Sequence, residues 1–149
     1  MFSRLLLTLD GSELARVAIQ PARELAERFH AAVYVLQVMP KLDGPAPFSI
    51  EGTRIADERA ARADVERAAA DLRDVAEAVE PLVVEGHAGE SIVEQAEVLG
   101  CDTIVMATHG RSGVGRVLLG SVAEHVVRHS RGSTVVLVRP DGVVGRPTA

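Results

Sequence analysis

Residues 103–121 read TIVMATHGRSGVGRVLLGS, an aliphatic, β-branched run that breaks into a segment with glycines at 110, 113, 115 and 120 and ends at Ser121, where a helical pattern begins. A strand that stays apolar without alternating is one covered on both faces. Its exit through a glycine-rich turn into a helix is half of a βα unit. Four more runs of this kind flank it: RLLLTL (4–9), VYVLQVM (33–39), LVVE (82–85) and TVVLV (134–138).

Helical patterns separate the runs. Ala18, Ala22, Leu25 and Phe29 draw one apolar stripe behind a candidate N-cap, Ser12, and Pro21 is expected to kink or divide that helix. Val65, Ala69, Leu72, Val75, Ala76 and Val79 form a second stripe that Pro81 is expected to close. Ile92, Val93, Ala96 and Leu99 face inward on a third helix, with Gly100 as its stop, and a fourth runs from Ser121 to about Ser130. Alternating β and α elements predict a parallel sheet with helices on both faces, all five strands reading as interior ones. Pro40 to Gly52, PKLDGPAPFSIEG, is expected to be a long loop at the carboxyl edge of the sheet. Residues 1–141 are expected to form one domain and 142–149 a frayed tail.

Composition narrows the function classes. The 149 residues are 47% hydrophobic and 25% charged, as in one globular domain. Net charge is −5, and 3% aromatic content with no Trp leaves no stacking platform, so nucleic acid is not an expected partner. Cys101 is the single cysteine, which excludes an internal disulfide and suits the cytoplasm. The run LLLTL meets Asp10 at once, too short for a signal-peptide core, and no stretch is long and apolar enough to span a membrane.

The glycine-rich segment carries the chemistry. Glycines let backbone N–H groups approach an anion, and the helix that follows adds unpaired amides and a positive dipole end. Ser121 and Glu124 also fit a capping box, so a turn with a cap and no ligand is the competing reading. No Gly-Lys-Ser/Thr sequence is present and the one lysine, Lys41, lies elsewhere, which excludes a P-loop NTPase. Gly113, Gly115 and Leu118 give GxGxxL after the fourth strand, which argues against a dinucleotide fingerprint.

The segment from Ala107 to Ser121 resembles the nucleotide loop of universal stress proteins, G-x-x-G, nine residues, then G-S/T, with Ala107 at the first glycine, Gly110 at the second, and Gly120 and Ser121 closing it. The resemblance extends to LLLTLDGSELA, VYVLQVMP, VEGHAGESIVEQAEVLGCDTIVMATHGRSG and GSTVVLVRP, most of the chain. It implies an open parallel sheet in the order 3-2-1-4-5, an ATP site between the first and fourth strands, with Mg²⁺ or Mn²⁺ as candidate counter-ions, and a homodimer through the last strand. Carried over by position, Thr8 and Asp10 meet the nucleoside, the backbone at Val38 reads the adenine edge, Met106 and Ala107 pass beside the nucleoside, and Gly110, Arg111, Gly120, Ser121 and Val122 hold the phosphates. Ala107 departs from the pattern and matters only where a positive φ is needed.

Other candidates are weaker. His125 and His129, at i and i+4, could share a metal but lack a third ligand with zinc-like spacing. His109 and Arg111 or Arg116 could meet phosphate, and each is as readily a turn or solvent residue. Ser121 with Glu124 and His125 invites a hydrolase reading that lacks a separate orienting acid, and Cys101 reads as a small buried residue rather than a reactive thiol. Three functions follow: an ATP-binding regulatory protein, a slow ATPase or autokinase using Ser121 or His109, and a structural dimer without nucleotide.

Overall fold

A computed structural model describes residues 1–42, 44, 48–108 and 119–140, with the main chain only at 48–51. Among the described residues nine elements are α-helices or strands: β1 (Arg4–Leu9), α1 (Ile19–Phe29), β2 (Ala32–Pro40), α2 (Phe48–Ala70), β3 (Ala78–Gly86), α3 (Ala88–Val98), β4 (Thr103–Ala107), α4 (Ser121–His129) and β5 (Thr134–Val138). The sheet order is β3-β2-β1-β4-β5, and every pairing is parallel. The assignment of residues 142–149 to a tail falls outside the described residues.

Alternation along each strand builds two cores. Leu5, Leu7 and Leu9 of β1 join Val33, Val35 and Val105 against α1 and α2. Leu6, Leu36, Ile104 and Met106 face the other way, against α3 and α4. Because β1 and β4 are buried from Leu5 to Leu9 and from Thr103 to Ala107, both faces must be apolar, which is why those runs do not alternate.

Several sequence expectations change. β3 and β5 are the sheet's edges, as the order 3-2-1-4-5 implied by the resemblance requires, and not the interior strands that their continuous apolar runs suggest. β3 begins at Ala78, four residues before the predicted run, so Val79 belongs to the strand and Pro81 lies within it, in register with Val35. An edge strand has one unpaired side, where the missing N–H of a proline removes no ladder bond. The buried stripe of α2 is Ala61, Val65, Ala68 and Ala69, continued by Leu72 in the turn that follows. The expected loop from Pro40 to Gly52 is shorter, since β2 reaches Pro40 and α2 starts at Phe48.

Pro21 does not kink α1. It sits in the helix's first turn, where its lost N–H has no intrahelical partner anyway, and the division comes before it, between a 3-10 helix at Leu14–Ala18 and α1. Phe29 is 48% exposed and leans on Phe2 with ring centroids 4.9 Å apart, so Ala26, fully buried, takes the core position. α3 ends as its sequence predicts: Gly100 adopts φ +64° and the Cys101 N–H reaches the Ala96 carbonyl at 2.8 Å. α3 and α4 approach closely at Gly89, where a Cβ would lie 2.8 Å from the His125 ring.

Candidate functional site

Strands of a parallel sheet point their carboxyl ends at one edge, and the helices that follow begin there. β1 ends at Leu9 and the chain turns at Asp10-Gly11-Ser12. Gly11 takes φ +83°, and Asp10 Oδ1 accepts the Ser12 N–H at 2.9 Å and the Ser12 hydroxyl at 2.5 Å. The Ser12 oxygen in turn accepts the Ala15 N–H at 3.2 Å and ties the turn to the 3-10 helix, but the N-cap of that helix is Glu13 and that of α1 is Ala18, so Ser12 is not the cap its sequence position predicts. Asp10 is thereby fixed in orientation at the sheet's edge.

β4 ends beside it. The Thr108 N–H bonds the Val138 carbonyl at 2.9 Å, and the Gly120 N–H bonds the Thr108 carbonyl at the same distance. The two ends of the glycine-rich segment are thus pinned together, and α4 starts where the segment returns. Gly120 occupies the cap position with φ −59°, and no side chain caps the helix. The capping box is therefore absent. Ser121 is the first helical residue and exposed, while Glu124 pairs with Arg128 at 2.8 Å. The first amides of α4 need another partner.

Between these elements lies a cavity of about 310 Å³ on the α3/α4 face. Eight of the residues proposed from sequence line it: Thr8, Asp10, Val38, Met106, Ala107, Gly120, Ser121 and Val122. Gly110 and Arg111, with His109 and Arg116, lie outside the described residues. Leu36, Ile92 and Ala123 supply more apolar wall, and Ala88 lines it at the start of α3. Sequence reasoning missed Leu36, Ala88 and Thr108 as lining residues, although each stands at or near the carboxyl edge, the one signal that could have found them. Asp10 is the single ionisable residue of the described lining.

Ala107 is the last residue of β4, nearly buried, and among the described residues only Phe2 and His30 are non-glycine residues with positive φ. Alanine therefore imposes no backbone strain there. The histidine pair is used in packing: the His125 and His129 rings stack at 4.1 Å, and His129 Nδ1 lies 2.8 Å from the His125 carbonyl. Neither lines the cavity, and no group of three metal-binding side chains occurs among the described residues. Cys101 is buried at the opposite edge of the sheet. Burial pushes its thiol up to about 11, only partly offset by the charge of Arg4, so it is protonated and unreactive at neutral pH.

An open parallel sheet in this order, with an apolar cavity at the carboxyl ends of its two central strands and a helix terminus at its rim, defines a doubly wound α/β domain. The model of the universal stress protein family matches residues 1–139, and the chain belongs to that family. A universal stress protein of Methanocaldococcus jannaschii is 31% identical over 147 residues, covering 94% of this chain and 84% of the relative. One from Thermus aquaticus is 32% identical over 142 residues, covering 93% and 100%. The solved structure of a second M. jannaschii universal stress protein superposes with a TM-score of 0.79 at 27% identity, covering 93% of this chain and 96% of the other. More distant structures share the fold, among them a universal stress protein in complex with cAMP, at 24% identity and TM-score 0.66, and one from Archaeoglobus fulgidus in complex with dAMP, at 20% and 0.64.

Proposed function

We propose that this protein binds adenine nucleotides, ATP foremost, in the cavity at the carboxyl ends of β1 and β4, and that occupancy changes its conformation or its choice of partner. The carrying observation is the meeting, in one cavity, of apolar walls, one oriented carboxylate and an uncapped helix start. Val38, Met106, Leu36 and Ile92 offer surface for a purine. Asp10 accepts hydrogen bonds from ribose hydroxyls, and Thr8 stands beside it on β1. Gly120, Ser121 and Val122 present amides and a hydroxyl where phosphates would lie, with Gly110 and Arg111 assigned to them by sequence position. The nucleotide complexes of distant family members make adenine the base to test first.

The described lining holds no base beside the phosphate position, so this reading gives the protein a binding role rather than rapid hydrolysis. Mg²⁺ or Mn²⁺ would arrive on the phosphates, because Asp10 is the lone carboxylate of the described lining. A single, buried thiol supports a cytoplasmic setting, and among the described residues no helix is long and apolar enough to cross a membrane. β5 supports a second element of the proposal. Its TVVLV run is half-buried and pairs with β4 on one side only, and a symmetric copy of the chain would cover that edge and give a homodimer.

Nucleotide released from the denatured purified protein, separated by chromatography, tests the reading. Adenine nucleotide near one per chain supports it. Recovery of none, with no calorimetric heat on adding ATP and Mg²⁺, would leave the structural dimer as the better account. Light scattering on the same sample reads the mass: a dimer is expected, and a monomer overturns the β5 assignment.

A further inference from the structure

We propose that the Thr8 hydroxyl, on the floor of the cavity between β1 and β4, reads the base of a bound nucleotide by donating a hydrogen bond to a purine ring nitrogen. The proposal rests on the nucleotide reading and deepens it, because it assigns Thr8 one class of ligand atom.

Alternation places the group. Leu7 and Leu9 belong to the α1/α2 core and Leu6 to the α3/α4 core, so Thr8 points to the α3/α4 face, where the cavity lies. It stands in register with Leu36 of β2, and on its other side Met106 lies one residue beyond the Leu7–Val105 pair. All three line the cavity, and Thr8 is the polar member of that row. Asp10 lies two residues on, about 7 Å nearer the rim.

Thr8 is 6% exposed. Among the described residues its hydroxyl has no hydrogen-bond partner. Nor is it sealed in: the unpartnered oxygens shut off from the surface are Gln37 Oε1 and Asp64 Oδ2, whereas Thr8 opens onto the cavity. Thr103, the buried threonine at the start of β4, donates its hydroxyl to Asp102 at 2.8 Å. Buried hydroxyls nearly always find such a partner, so one that faces a cavity without it marks the place of a ligand atom.

The chemistry of a hydroxyl selects that atom. It has one proton to give and two lone pairs to receive, and a proton left unmatched in an apolar site costs binding energy. An exocyclic amine aimed at Thr8 would fill a lone pair and leave the proton unmatched, and a C–H edge would satisfy neither. A ring nitrogen accepts the proton. With the adenine amine edge assigned by sequence resemblance to the Val38 main chain, and the ribose hydroxyls to Asp10, the acceptors left on the base are N3 and N7.

Calorimetry on the nucleotide-stripped full chain tests this with ATP and its 1-deaza, 3-deaza and 7-deaza analogues, on the parent, Thr8→Val and Thr8→Ser. Valine keeps the shape and removes the hydroxyl, so Thr8→Val should weaken ATP about tenfold, while Thr8→Ser stays within about threefold of the parent. Because valine favours strands and the lost hydroxyl had no partner, the apo melting temperature of Thr8→Val should be no lower than the parent's. Either 3-deaza-ATP or 7-deaza-ATP should bind the parent about tenfold more weakly than ATP and lose nothing further in Thr8→Val, while the other still loses about tenfold. Unchanged ATP affinity in Thr8→Val, equal losses with ATP and with both of these analogues, or coupling to 1-deaza-ATP alone would each overturn the proposal and leave the nucleotide reading standing. No binding of ATP by the parent would overturn both.

Discussion

The two ends of the sheet are built differently. At the amino ends the strands are stitched together: Asp102 accepts the Ser3 N–H at 2.9 Å, the Ser3 hydroxyl at 2.5 Å and the Thr103 hydroxyl at 2.8 Å. Its main chain bonds Arg4 and Thr134, so one residue joins the starts of β1, β4 and β5. Arg4 reaches the Leu99 carbonyl and Ser133 the Cys101 carbonyl, both at 2.9 Å. At the carboxyl ends β1 and β4 diverge around a cavity, and α4 begins without a side-chain cap. Polar groups are mutually satisfied at the amino ends, which ties stability to that end, and the proposed binding site falls at the other, where the start of α4 has no side-chain cap.

That division predicts which substitutions separate folding from binding. Between the two ends, Ile104→Ala removes a fully buried side chain at the centre of β4 and should cost about 2–5 kcal/mol, lowering the melting temperature with or without nucleotide. Gly120→Val places a branched side chain on the cavity wall at an ordinary φ of −59°. It should reduce ATP affinity at least about tenfold by calorimetry while costing the apo protein no more than about 1 kcal/mol. Equal losses in both would mean that the cavity wall is part of the folding core.

Asp102→Asn tests the stitched end, with a loss of about 1 kcal/mol at neutral pH and unchanged ATP affinity. Burial alone would raise the Asp102 pKa, but the hydrogen bonds from Ser3, with those of Thr103 and Arg4, outweigh it and hold the carboxyl below its ordinary value. The unfolded chain therefore binds the extra proton first, and the stability Asp102 contributes is lost as pH falls from the ordinary carboxylate range through its lowered folded value. Denaturant melts of parent and Asp102→Asn should converge over that interval and stay apart above it. The smallest effect is Ser121→Ala. With no cap to lose, apo stability should stay within about 0.5 kcal/mol, while ATP affinity falls a few-fold.

Unequal legibility of the two ends follows from the same physics. Continuous apolar runs mark β1 and β4 because burial on both faces removes alternation, whereas the strand order was available only through family resemblance. Pro81 hid the first half of β3, since a proline on an unpaired strand edge is silent in the pattern. The start of α2 was hidden by the prolines and glycines before it. For the site, Asp10, Gly120 and Ser121 were legible as turn and helix-start residues. Leu36 and Ala88 were not, because a cavity wall uses the same apolar residues as a core.

Calorimetric titration of the nucleotide-stripped full chain with ATP and Mg²⁺, repeated with Gly120→Val, decides whether the cavity at the carboxyl ends of β1 and β4 holds nucleotide. Saturable one-site binding by the parent is expected, accompanied at about a hundred times Kd by roughly 2.7 kcal/mol of added stability and several degrees in melting temperature. The variant should bind at least about tenfold more weakly. Absence of heat and of any melting shift with ATP, or equal binding by parent and Gly120→Val, would contradict it.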